Sequence, residues 1–169
     1  MLRRAVPLAV AWLLAACLGA CRASPSAPSI PTVQGFWRGS YRATGCTATG
    51  NASSWDCPSN VGEFDLRLTQ SGPTVTGFVS ACDSEISDLR GTVAADGAIA
   101  LLGSSSTPDL QLNIWPMTVS QWRTTVIGTT MVGSFTCTVY YPGSTTASFV
   151  VTATLTNVNL VSSNPNVPF

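Results

Sequence analysis

The chain has 169 residues, of which eight are Lys or Arg and eight are Asp or Glu, so its formal net charge is zero. This length indicates one folded domain, and a charged fraction of 9% leaves no basic patch for a nucleic acid. Because the chain contains no histidine, the usual general base and the commonest metal ligand are missing. We therefore expect no enzymatic activity, no metal site and no cofactor.

Residues 1–20 are predicted to be an export signal. Arg3 and Arg4 precede an apolar run at residues 5–16, which is shorter than the roughly 20 residues that span a bilayer. The segment ends in two tetrapeptides, Leu-Ala-Ala-Cys at residues 14–17 and Leu-Gly-Ala-Cys at residues 18–21. Both resemble the lipobox of bacterial lipoproteins, which implies cleavage just before the cysteine and lipidation of its sulfur.

Cys21 is the expected lipidation site, with Cys17 as the alternative, because cleavage before Cys21 leaves the fuller apolar run. The resemblance implies a diacylglyceryl thioether and an amide-linked chain, which hold a protein on the membrane because each buried methylene contributes about 0.8 kcal/mol. Arg22 follows, where an Asp retains some lipoproteins on the inner membrane. We therefore expect a cell-envelope protein at the outer membrane, on its periplasmic or surface face. An ordinary secretory signal with incidental cysteines is the alternative.

Residues 21–34 comprise the lipidated cysteine and a flexible linker. Residues 22–32 contain three prolines and three serines and have no periodic apolar face. Such a composition is typical of an extended tether, so we expect this segment to space the folded domain from the lipid.

Residues 35–169 are predicted to form one all-β domain, because apolar residues alternate and are interrupted every roughly 8–12 residues by turn formers. The clearest strand covers residues 63–70, where Phe64, Leu66 and Leu68 share one face. A turn at residues 71–74 leads to a second strand at 75–81. The other strands are predicted at residues 35–44, 89–95, 99–104, 110–119, 129–141 and 145–160, with tight turns at 96–97 and 142–144.

About eight strands in antiparallel meander order must hide their edges by closing or by folding into two layers. We predict a closed or nearly closed small barrel, with a β-sandwich as the alternative. The predicted interior residues are mostly large, which favours a filled barrel. They are Trp37, Tyr41, Phe64, Leu66, Leu68, Val79, Leu89, Val93, Leu112, Phe135, Val139, Phe149, Val151 and Leu155.

Residues 35–160 resemble the lipocalin and avidin group of small β-barrels. The resemblance is carried by the Gly-Phe-Trp sequence at residues 35–37, by glycine-bearing strands and by the eight-strand meander. The resemblance implies a capacity to carry a small apolar ligand. An aromatic residue on the first strand of such a barrel plugs one end, so we expect Trp37 in the core.

Four cysteines, Cys46, Cys57, Cys82 and Cys137, follow the signal, and an even number in an exported chain predicts disulfides. We favour Cys46–Cys57, whose closed loop would contribute about 3 kcal/mol, together with Cys82–Cys137. The register of the predicted hairpin leaves Cys57–Cys82 open as the rival pairing.

The candidate contact residues are Trp55, Asp83, Glu85 and Asp88. The three carboxylates fall within six residues after a predicted strand, and they could offer oxygen ligands to calcium, although a solvated connection is the favoured interpretation. Trp55 is predicted to lie on the rim of the barrel, where its ring could stack on a ligand.

Trp115 and Trp122 are further aromatic candidates near the sixth strand, and Trp115 is expected to cap the barrel or cover its outside. The sequence thus leaves three functions open. The barrel is a binding or structural module that contacts another envelope component, a lipocalin-like carrier of a small apolar ligand, or, least favoured, a carboxylate-based enzyme.

Overall fold

A computed structural model describes residues 29–50, 52, 61–82, 84–105, 115–140 and 148–167. Its strands are β1 (Gly35–Thr49), β2 (Val61–Ser71), β3 (Thr74–Ala81), β4 (Ser84–Val93), β5 (Ala98–Ser104), β6 (Met117–Ile127), β7 (Thr130–Tyr140) and β8 (Ser148–Ser162). Consecutive strands pair antiparallel, and β1 pairs with β8, so the sheet closes into a barrel. The predicted all-β meander barrel is confirmed, and the sandwich alternative is wrong.

The predicted position of the sixth strand is wrong. The prediction covers residues 110–119, of which 110–114 lie outside the described residues, whereas β6 runs from residue 117 to residue 127. A bulge explains the error, because Ser120 has no partner residue on β7, whereas Val119 pairs with Cys137 and Gln121 with Thr136. An extra residue breaks the two-residue alternation, and the pattern that predicts a strand is lost.

The fourth strand also begins earlier than predicted, because the acidic segment that we expected to be a connection is mostly strand. β4 begins at Ser84, which is opposite Ala81. A bulge again hides the pattern. Two exposed residues lie between the buried Ile86 and Leu89 on β4, and the two exposed residues are both opposite a single residue of β3, Phe78. The turn predicted at residues 96–97 is confirmed, and the one predicted at 142–144 lies outside the described residues.

Side chains fill the interior of the barrel. Tyr41, Phe64, Trp122 and Phe135 form an aromatic cluster whose contacting ring centroids lie 5.4 to 5.9 Å apart. Every predicted interior residue that the structure describes is buried, and Leu112 lies outside the described residues. Offset and edge-on ring contacts of this kind add to the stabilisation that burial of apolar area provides.

Trp37 lies in the core, as predicted, and is 1% exposed. Its indole Nε1 donates a hydrogen bond to the carbonyl of Val33, at 3.0 Å, so the polar edge of the ring is satisfied. Val33 is itself buried, so the chain begins to pack against the barrel two residues before β1.

The two ends of the barrel differ. At the end where the chain enters through residues 29–34, short turns at residues 72–73, 94–97 and 128–129 join the strands. We call this the turn end. At the opposite end, which we call the loop end, connections at residues 50–60, 105–116 and 141–147 join the strands, and residues 82–83 join β3 to β4. The meander order therefore places all the long connections at one end.

Candidate functional site

Several buried side chains contact one another near the loop end of the barrel. The phenolic oxygen of Tyr41 accepts a hydrogen bond from the backbone N–H of Cys82, at 3.1 Å. The sulfur of Cys82 forms a disulfide with Cys137 on β7, and the ring of Tyr41 meets Phe135 edge-on. These contacts tie β1, the β3–β4 connection and β7 together across the interior.

Cys82 has a left-handed backbone with φ of 55°, which is unusual for a residue with a side chain. The pairing of Ala81 with Ser84 leaves only two residues to reverse the chain, and the turn types favoured in two-residue hairpin connections have positive φ. The disulfide and the hydrogen bond from its N–H both hold Cys82 in this conformation.

The disulfide between Cys82 and Cys137 is the pairing that we favoured, and it excludes the rival Cys57–Cys82. Cys46 on β1 is also disulfide-bonded. Its favoured partner, Cys57, lies outside the described residues. The described disulfide joins residues 55 apart in sequence, so it fastens the first half of the meander to the second.

Trp115 lies just before β6 and contributes to the loop end. Its carbonyl accepts a hydrogen bond from the hydroxyl of Ser84, and its side chain packs against the core. Trp122, in contrast, is 2% exposed, and its Nε1 donates to the hydroxyl of Thr124 at 2.8 Å. Trp122 is therefore a core residue and not a ligand platform, and Trp55, the predicted rim residue, lies outside the described residues.

The structure does not bring the two described carboxylates together. Glu85 and Asp88 are three positions apart on β4, or roughly 10 Å along the strand, whereas calcium ligands lie about 2.3 to 2.6 Å from the ion. The guanidinium of Arg90 binds the carboxylate of Asp88 at 2.7 and 3.0 Å. Asp83 lies outside the described residues, and within them no three Cys, Asp or Glu side chains could hold a metal together.

Charge is distributed unevenly around the outside. On β1 and β2, the guanidinium of Arg38 binds the carboxylate of Asp65 through two hydrogen bonds of 2.8 and 3.0 Å. The hydrogen bond to Asp65 raises the pKa of Arg38, burial opposes this rise, and the charges of Asp65 and Glu63 raise the pKa further. The strands β7 and β8, in contrast, contain no Asp, Glu, Lys or Arg.

A shallow groove that the sequence did not predict lies on the outer face of β4, β5 and β6. Three adjoining depressions of about 340, 320 and 500 Å³ lie over β5, where the β5–β6 pairing is interrupted between Ile99 and Gly103. Leu102 is 61% exposed in this groove, which Arg90 and Arg123 also line. The available signal was that β5 is apolar on both of its faces, which is unusual for a strand with one solvated side.

Comparisons with protein-family models, with curated proteins and with solved structures find no match for this chain. The described residues define its class, an all-β protein with a closed, eight-stranded antiparallel meander barrel. In the same residues there is no helix long and apolar enough to cross a membrane.

Proposed function

We propose that this chain is a lipid-anchored protein of the bacterial cell envelope whose barrel serves as a binding or structural module. Its loop end contacts another envelope component, and its turn end faces the membrane. One observation carries the proposal: the chain enters a filled barrel at the end opposite the long connections.

The entry of the chain at the turn end is held by the side chain of Gln70. Its amide oxygen accepts the N–H of Val33 at 2.7 Å, and its amide nitrogen donates to the carbonyls of Pro31 and Gly72 at 3.1 and 2.9 Å. A lipid on Cys21 would thus pull on the turn end, because these bonds fix the entering segment there. This supports an orientation in which the loop end points away from the membrane.

The filled interior supports an interaction module over a lipocalin-like carrier. An eight-stranded barrel has room either for side chains or for one small ligand, and here Phe64, Trp122 and Phe135 lie within contact distance in its centre. A partner would therefore bind to the outside or to the connections. Because long loops on a rigid scaffold commonly carry recognition, the loop end is the proposed contact surface.

The anchor is tested by the intact mass of the native protein extracted from membranes. We expect a chain that begins at Cys21 and carries three acyl groups, with an increase of about 2 Da for each disulfide on reduction. Cys21→Ala is expected to abolish lipidation, and Cys17→Ala is the matched control that keeps it. Lipid loss in Cys17→Ala alone would move the site to Cys17, and an unlipidated native chain would refute the anchor.

The contact surface is tested by photocrosslinking in cells that produce the lipidated protein. A photoreactive amino acid replaces Thr47, an exposed residue near the loop end, or Thr76, an exposed residue near the turn end as the matched control. We expect a discrete protein adduct from position 47 that Trp55→Ala weakens. Equal adducts from both positions, or none from position 47, would contradict the proposed role of the loop end.

A further inference from the structure

We infer that the barrel docks on the lipid bilayer through an aliphatic rim at its turn end, formed by Ile127, Val161 and Val132. This inference rests on the proposed lipid anchor and goes beyond it, because an anchor alone would leave the barrel free to swing on its tether. The occupant of the rim is the lipid surface itself.

The rim residues are large aliphatic side chains in contact with solvent. Ile127 is 65% exposed, Val161 56% and Val132 43%. Ile30, in the segment through which the chain enters, is 38% exposed and belongs to the same end of the barrel. Aliphatic side chains grouped at one place on a surface commonly mark a contact with a protein or a membrane.

Strand register places these residues on one side of the barrel. Ile127 is opposite Thr130 on β7, and Thr130 is opposite Asn159 on β8. Val161 lies two residues beyond Asn159, toward the turn end and on the same face of the strand. Val132 is the diagonal neighbour of Ile127, at roughly 7 to 8 Å. The rim therefore runs across the parts of β6, β7 and β8 that lie at the turn end.

The turn end has few charged side chains that would lose water on contact with lipid. Its described residues, 29–35, 69–76, 93–99, 126–132 and 158–167, contain Asp96 as their one ionisable side chain. The carboxylate of Asp96 accepts the N–H of Ala98, at 3.0 Å. Among these residues, apolar contact with lipid is thus opposed by a single carboxylate. Arg38, opposite Asn159 on β8, and Arg123, opposite Ser134 on β7, lie beside the rim on the side away from the turn end, and Arg38 is bound to Asp65.

The entering segment lies beside the rim. A Cβ added at Gly97 would lie 3.8 Å from Cγ of Pro31, and the carbonyl of Gly97 accepts the N–H of Val126 at 3.1 Å. Val126 immediately precedes Ile127, so the chain enters the barrel next to the most exposed aliphatic residue of the rim.

Because the tether is short, even a weak contact between the rim and the bilayer is sufficient to dock the barrel. Seven residues, 22–28, separate Cys21 from the first described residue, Ser29, so the two residues lie at most about 29 Å apart. Since Ser29 belongs to the segment that enters at the turn end, the tether holds the lipid and the rim close together. The high effective concentration that results favours a contact that would be too weak between separate molecules.

The test uses the full lipidated chain in phosphatidylcholine vesicles, with a polarity-sensitive fluorophore on Ile127→Cys, Val161→Cys or Leu102→Cys. Leu102 is the matched control, because it is as exposed as Ile127 and is paired with Arg90 on the outer face away from the turn end. We expect a blue-shifted emission and quenching by brominated lipids at positions 127 and 161 and not at position 102. Near-ultraviolet circular dichroism confirms that each labelled variant is folded.

Flotation of the vesicles separates the two proposals. A chain that does not float with the vesicles refutes the anchor and, with it, the docking. A chain that floats while its probes at positions 127 and 161 respond like the probe at 102 refutes the docking alone. In the variant Ile127→Glu/Val161→Glu with a probe at Val132→Cys, we expect flotation without quenching. Quenching that rises with anionic lipid and falls with salt would also overturn an apolar contact.

Discussion

The phenolic oxygen of Tyr41 lies 3.1 Å from the backbone nitrogen of Cys82, across 41 positions in the sequence. The same ring covers Gly62 on β2, where an added Cβ would lie 2.6 Å from Cε1 of Tyr41. One side chain of β1 therefore fills the space that a glycine leaves on β2 and satisfies a buried N–H at the β3–β4 connection. This contact lies directly beneath the loop end, the proposed recognition surface.

Tyr41→Phe should destabilise the folded state by about 1 to 3 kcal/mol, because it leaves the buried N–H of Cys82 without this acceptor. Equilibrium denaturation in urea measures the change. Tyr140→Phe, on the half-buried outer side of β7, is the control and should change stability by less than about 0.5 kcal/mol. Equal losses in the two variants would show that the hydrogen bond to Tyr41 is unimportant.

Gly62→Ala should destabilise the barrel by about 1 to 3 kcal/mol, because the new methyl group would collide with the ring of Tyr41. Gly45→Ala on β1 is the matched control, since no atom lies within 4 Å of its added Cβ. Thermal unfolding of the two variants provides the comparison. In a double-mutant cycle, Gly62→Ala should cost less in the Tyr41→Leu background than in the parent, and an equal cost would contradict the proposed collision.

Removal of the Cys82–Cys137 disulfide with Cys82→Ala/Cys137→Ala should destabilise the protein by about 4 kcal/mol, because the bond closes a loop of 55 positions. Denaturant midpoints of the variant and of the unreduced parent measure the effect. The double variant isolates this bond, whereas a reductant would also open the disulfide of Cys46. An unchanged midpoint would mean that the bond does not constrain the unfolded chain.

The Arg38–Asp65 pair should contribute a coupling of about 0.2 to 1 kcal/mol in a double-mutant cycle with Arg38→Gln and Asp65→Asn. Its two hydrogen bonds fix the geometry, but Arg38 is 51% exposed and salt should weaken the coupling. The Arg90–Asp88 pair is the comparison and should couple less, since its side chains are 72% and 64% exposed. A larger coupling for Arg90–Asp88 would contradict this reasoning.

The Arg38–Asp65 pair should keep its contribution to the free energy of unfolding as the pH rises from neutrality to about pH 10. The folded-state pKa of Arg38 is raised, so its stabilisation is complete below the unfolded pKa and is lost only as the pH rises through the folded value. The coupling energy measured at several alkaline pH values checks this. A coupling that disappears near pH 9 would be inconsistent with the raised pKa.

The local sequence pattern was sufficient to predict a strand where apolar and polar residues alternate without interruption. On β2, the alternation of Phe64, Leu66 and Leu68 with polar neighbours was enough to predict the strand and its buried face, and all three are fully buried. It failed at the bulges of β4 and β6, because an extra residue reverses the phase of the alternation and only pairing with the next strand reveals it. The core position of Trp122, just after the β6 bulge, was therefore missed.

The sequence by itself determined the all-β class, the number of strands, most of the interior and the expectation of an export signal, a tether and disulfides. These features depend on neighbours in the chain or on composition. Only the tertiary structure decided that the sheet closes, that Cys82 pairs with Cys137, and that Ile127 and Val161 share one rim. Those features join residues far apart in sequence, and the registers of many strands, not any local pattern, set their distances.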